Sequence, residues 1–129
     1  MRNENVVSGD HVDMLPNRDC LRSSILHHVN YSLGISAEAL QPAEALRAIS
    51  LAIRDLMVER SLATDAEFRR TDAKRLYYLS LEFLIGRSLR SNLVNLGLLN
   101  CGIEVLLELG LDFSEVEEQE TDAALGNGG

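Results

Sequence analysis

Tryptophan is absent from this chain, and lysine occurs once, at Lys74. Positive charge is scarce: 12 Lys and Arg stand against 20 Asp and Glu, giving a net charge of -8. Nucleic acid and anionic membranes are bound through clustered Lys and Arg, so neither is an expected partner. Cysteine is nearly missing as well. Cys20 and Cys101 lie far outside any CxxC spacing, which argues against the common zinc and dithiol motifs and leaves two reduced thiols of a cytoplasmic protein. The N-terminus has no basic start followed by an apolar core, and no apolar run approaches a membrane span, so the expected location is cytoplasmic. An EF-hand spacing of Asp, Asn, Gly and Glu is missing too, and no internal repeat is visible. His27 and His28 are neighbours and point about 100° apart on a helix, so they do not form the i, i+4 pair of a metal site.

What is present is ordinary for a globular domain: 46% apolar and 25% charged residues in 129 positions, one domain's worth of chain. Residues 1–16 are polar without apolar periodicity and read as a flexible leader. From 17 to 129 the pattern is mostly helical. Asn17 or Asp19 is placed to cap a helix over about 18–33, with Leu21, Ile25, Val29 and Leu33 on one face and Gly34 as its stop. Pro42 suits the first turn of a second helix over about 42–70, striped by Leu46, Ile49, Ile53, Leu56, Met57 and Arg60. Shorter helices are expected over about 88–99 and 101–109. The acids between Asp112 and Asp122, gathered around Val116, read as a solvated face.

Between the helices, Leu76 to Phe83 is rich in aromatic and aliphatic residues and fits one strand over about 75–83. Alternation places Tyr77, Leu79, Leu81 and Phe83 on one apolar face, and Leu76, Tyr78, Ser80 and Glu82 on the other. A strand apolar on both sides until its C-terminal end suits a buried sheet, and ligands of open α/β sheets bind at that end. Glu82 either reaches water from an edge strand or faces such a ligand. At the other end of the chain, Leu125-Gly126-Asn127-Gly128-Gly129 offers backbone freedom and clustered N–H groups that suit an anion.

Taken as a pair, these two blocks resemble the glycogen/starch/maltodextrin phosphorylase family. Tyr78-Leu79-Ser80-Leu81-Glu82-Phe83 followed by Gly86-Arg87, then Asn92-Leu93-Val94-Asn95-Leu96-Gly97, an acidic stretch and Leu125 to Gly129 stand in that family's order and spacing. The resemblance runs from about Arg18 to Gly129 and is tightest from Lys74 onward.

It implies an α/β fold class, namely the mostly helical N-terminal part of a Rossmann-like domain of the GT-B glycosyltransferase type, truncated after its first strand and Gly-rich loop. The implied activity is release of glucose 1-phosphate from an α-1,4-glucan by orthophosphate, with pyridoxal phosphate as cofactor and a homodimer as the full-length form. Gly128 and Gly129 amides are then expected at the phosphate region and Asn127 at the glucosyl site. Glu82 either contacts substrate or holds the glycine loop in shape, and Arg87 is an ion-pair partner. No catalytic residue and no metal ligand is expected in this chain. The cofactor lysine of the family is not matched here, since Lys74 precedes the strand at the end away from the glycine loop. An isolated chain of this length is therefore expected to be inactive. Ser8 has only Arg2 nearby, and Asp65 stands among the positions matching a nucleotide site (Ser61, Asp65, Ala66, Arg69), so control by phosphorylation or AMP is not expected. The alternative is a non-enzymatic helical interaction module. A glycosidase pairing Glu82 with an acid of the 112–122 cluster needs two carboxylates about 5–10 Å apart, a distance that sequence does not set.

Overall fold

Apolar residues spaced three and four apart wind most of the chain into helices around one shared core. The computed structural model describes residues 17–81 and 84–124. The first helix, α1 (Arg18–His27), starts where Asn17 Oδ1 accepts the Cys20 N–H at 2.9 Å. One π-helical turn, His28–Ser32, follows it. The helix expected over about 18–33 thus ends in a widened turn.

Helix α2 (Pro42–Thr71) opens with Pro42 in its first turn, and the Gln41 N–H donates to the Glu44 carboxylate at 3.2 Å. It closes at Asp72, whose φ of 48° is left-handed. Its 30 residues make it about 45 Å long. Only the first half is covered. Ala45, Ala48 and Ala52 let neighbouring helices approach closely, while Ile49 and Ile53 supply bulk between them. The buried stripe fades at half-buried Leu56, and Met57 and Arg60 are exposed. That part of the expected stripe finds no described element to pack against.

Three shorter helices complete the bundle: α3 (Leu89–Asn95), α4 (Leu99–Glu108) and α5 (Phe113–Glu118). A positive φ of 72° at Gly97 turns the chain between α3 and α4. The helix expected over 88–99 therefore ends at Asn95, and the one expected over 101–109 begins at Leu99. The stretch read as a solvated acidic face contains α5. Asp112 caps it by accepting the Ser114 N–H at 2.7 Å, and Phe113 and Val116 are buried. Ile25, Val29, Ile49, Leu93, Leu98, Val105, Leu106 and Val116 are almost fully enclosed. Each such side chain contributes about 1.5–3 kcal/mol by leaving water.

The strand expected over about 75–83 is not formed where that stretch is described. Its described part, 75–81, has no regular secondary structure, and there is no strand anywhere among the described residues. A lone strand cannot satisfy its own backbone groups, and this core offers it no sheet. The described residues are accordingly helical rather than α/β. None of their helices is long and apolar enough to cross a membrane.

Candidate functional site

Glu82, Asn127, Gly128 and Gly129, the residues the sequence marks for phosphate and sugar, lie outside the described residues. The structure does show how the chain delivers the segments that flank them. After Ile85, the backbone turns at Gly86, with φ of 66°, and runs into α3. After α5 it returns to the same place. Ala123 donates its N–H to the Gly86 carbonyl at 3.2 Å. One turn earlier, Glu120 accepts from the Ser88 N–H at 2.7 Å and from the Leu89 N–H at 3.1 and 3.2 Å.

The Glu120 carboxylate thus takes the place of a local cap, since α3 has no side-chain cap hydrogen bond of its own. A negative charge there also faces the positive end of the helix. Beside it, Arg90 forms a two-pronged pair with Glu117, both contacts at 2.7 Å, while its guanidinium lies 4.9 Å from the Phe113 ring centre. The Arg90 hydrogen bonds hold the Glu117 carboxyl below its ordinary pKa, and the Arg87 charge adds to this. Asp122 Oδ1 accepts the Ala124 N–H at 2.8 Å, a local turn at the last described residues.

Between α2 and the start of α3 lies a cavity of about 160 Å³, lined by Ser50, Arg54, Met57, Ser88, Asn92 and Glu120 among others. It shares Glu120 with the junction just described. Among the described residues no group of three His, Cys, Asp or Glu is placed to hold a metal ion.

A second polar constellation sits where α1 meets α2. His28 is buried, its Nε2–H donates to Asp55 Oδ2 at 2.9 Å, and its Nδ1 shares a hydrogen bond with the Ser32 hydroxyl at 2.8 Å. His27 instead stays on the surface with its ring tilted against that of Tyr31, the ring centres 5.1 Å apart. On the outer face of the pair α1 and α4, Arg18 bridges Glu104 and Glu108, and Arg22 reaches Glu108 at 3.4 Å. Such exposed pairs stabilise little. Asp65 pairs with Arg75 at 3.2 Å, and Arg75 also lies over Phe68.

Sequence reasoning missed the Glu120 junction because its partners are 31 and 32 positions away. The available signal was indirect: Ser88-Leu89-Arg90 begins a helix with no acid in its first turn, while acids accumulate later in the chain. His28 was missed as a pairing residue because its partner Asp55 sits 27 positions away on another helix.

No family model matches the chain. Similarity to individual known proteins is substantial. Human brain-form glycogen phosphorylase (Homo sapiens) is 42% identical over 109 residues, covering 84% of this chain and 13% of that protein. The glycogen phosphorylase of Chlamydia trachomatis is 39% identical over 113 residues, 88% of this chain and 14% of that enzyme. The muscle form from Ovis aries is 41% identical over 109 residues. The chain spans only 13–14% of the length of these relatives. Over that span the chain is similar in sequence to glycogen phosphorylases, in keeping with the ordered motifs that it carries.

Proposed function

We propose that the chain serves as the N-terminal portion of an α-1,4-glucan phosphorylase, an enzyme that uses orthophosphate to release glucose 1-phosphate from glycogen, starch or maltodextrin. One observation supports this reading beyond sequence likeness. The hydrogen bond from Ala123 to Gly86 ties together the two stretches that lead into the family's strand motif and its glycine run. In this proposal Glu82 and the amides of Gly128 and Gly129 border one pocket, with Asn127 beside the glucosyl group. Backbone amides lower the cost of bringing two phosphates close without adding a side chain. Glu82 either accepts a hydrogen bond from the sugar or steadies the glycine loop.

Pyridoxal phosphate does not fit the residues at hand. Lys74, the one lysine, is exposed on the segment after α2, and no described cavity encloses it. The cofactor therefore belongs, in this reading, to another part of the phosphorylase. The fold of the assembled enzyme is proposed as Rossmann-like of the GT-B type, the enzyme as a cytoplasmic homodimer.

The test is a chimera in which this chain replaces the matching residues of the Chlamydia trachomatis enzyme. Phosphorolysis of glycogen is expected, with kcat/KM falling on the order of a hundredfold in the Asn127→Ala chimera, the loss typical of one removed stabilising donor. A chimera that folds and binds glucan yet releases no glucose 1-phosphate would sink the reading. The interaction-module alternative has one observation in its favour, a run of exposed apolar side chains between α2 and α3.

A further inference from the structure

Past α5 the chain leaves the core: residues 121–123 are exposed and Ala124 is half-buried. The side chain of Glu120 and the backbone of Ala123 bring this stretch back to the bundle. Glu120 is half-buried. Its Oε1 accepts the Ser88 N–H at 2.7 Å and the Leu89 N–H at 3.1 Å, and its Oε2 lies 3.2 Å from the same Leu89 nitrogen. The Ser88 hydroxyl adds a longer contact to Oε1 at 3.4 Å. The bond from Ala123 to the Gly86 carbonyl is a single neutral one of 3.2 Å, and Ala123 is exposed to water. Hydrogen bonds to an ionised acceptor are roughly twice as strong as neutral ones. Glu120 is therefore the main tie, and the Ala123 bond depends on it. Each end of this tie stands beside a motif. Ser88 comes directly after Gly86-Arg87, and Ala123 stands just ahead of Leu125 to Gly129.

We propose that Glu120 is a positioning residue for phosphorolysis. By holding the start of α3, its carboxylate fixes the spacing between the strand-motif stretch and the glycine run, and it acts on the reaction only through them. The proposal rests on the phosphorylase reading above and goes beyond it by assigning that spacing to one side chain which itself carries no chemistry. Two features set this contact apart from a plain helix cap. An ordinary N-cap is the residue just before its own helix and binds locally. Here the acceptor comes from 32 positions further along, so capping α3 and bringing the two stretches together are one event. The neighbouring pair supplies the contrast. Arg90 and Glu117 join α3 directly to α5 and touch neither Gly86 nor Ala123. Breaking that pair weakens the bundle, whereas removing the Glu120 carboxylate releases the chain beyond α5. A misplacement of about 1 Å between reacting groups costs up to about a hundredfold in rate, so such a release is read in turnover.

The test uses the chimera described above and reads kcat and KM separately. Glu120→Ala is expected to lower kcat about tenfold or more, with the KM for glycogen within about twofold, because misplacement acts on the transition state and not on uniform binding. Glu120→Gln still presents an acceptor oxygen and should keep kcat within about threefold of the unsubstituted chimera. Glu120→Asp keeps the charge but is one methylene too short, and should fall with the Ala variant. Arg90→Gln should lower the melting temperature yet leave kcat within about twofold. Hydrogen exchange of the 129-residue chain supplies a readout independent of activity. In Glu120→Ala the Ala123 amide should exchange about tenfold faster, with the Ile25 and Val105 amides unchanged. An Ala123 amide that does not respond overturns the proposal, as does a kcat loss in Arg90→Gln as large as that in Glu120→Ala. Should the Glu120→Ala chimera fail to fold, the Asp and Gln variants decide, and equal kcat in the two overturns it. An active chimera whose folded Glu120→Ala form keeps its full kcat defeats the positioning role alone. An unsubstituted chimera that folds and binds glucan yet is inactive defeats the phosphorylase reading and removes this role with it.

Discussion

Glu120 and Ser88 meet at 2.7 Å, the carboxylate accepting the backbone N–H that opens α3. This contact joins the end of the described chain to its middle, just after the strand-motif stretch and just before the glycine-rich one. Replacing Glu120 with Ala is expected to cost about 1–2 kcal/mol, the usual loss when a cap is removed and its N–H groups are stranded. Glu120→Gln should cost less, since the amide oxygen still accepts. Urea denaturation followed by helical signal distinguishes the three proteins.

Gly102 lies buried inside α4, where an added Cβ would meet Leu93 side-chain carbons at 3.5 Å and the Ile49 Cδ1 at 3.6 Å. These are ordinary contact distances, so the helix gains propensity without a clash. Gly102→Ala should stabilise the domain by up to about 1 kcal/mol. A lower urea midpoint than wild type would contradict the packing described.

Acid should loosen the α3–α5 junction. The carboxyl of Glu117 is lowered by its hydrogen bonds to Arg90, and Asp112 is lowered by its hydrogen bonds to Ser114. A depressed folded-state pKa means stabilisation that is present above the unfolded value and is lost as pH falls through the folded one. Stability measured downward from neutral pH should therefore decline below the ordinary carboxylate range of about 4. Arg90→Gln should flatten that decline, because the main cause of the lowered Glu117 pKa is then gone.

The His28 contacts predict an asymmetry between two variants. Asp55→Ala removes the acceptor of a buried ring N–H and should destabilise by about 1–3 kcal/mol. Asp55→Asn keeps an oxygen in place and should lose about half as much. Equal effects in thermal melts would show that the buried ring finds another partner.

Leu79→Asp is expected to leave the stability of the isolated chain within about 0.5 kcal/mol of wild type, as for other exposed positions outside the core. A large loss would mean that the segment packs against the helices in solution.

Much of the helical architecture was legible from spacing alone. Leu21, Ile25 and Val29 line the buried face of α1 and its π turn, and Pro42 stands at the start of α2, because local periodicity and capping chemistry act within a few residues. The acidic stretch was not legible in the same way. Its acids read as solvated, yet Val116 is enclosed, Glu117 clamps Arg90 and Glu120 caps a helix far away in sequence. The run at 75–81 erred in the opposite direction: its period-2 pattern describes a strand, and no sheet among the described residues receives it.

The order of residues by itself determined the starts of α1 and α2 and the motifs that carry the phosphorylase likeness. These depend on backbone freedom and side-chain type over short distances. Only the tertiary structure decided which acids are structural, how far along α2 the core extends, and that Ala123 returns to Gly86. Those outcomes depend on contacts between residues distant in the chain, and such contacts form only when helices close around a common core.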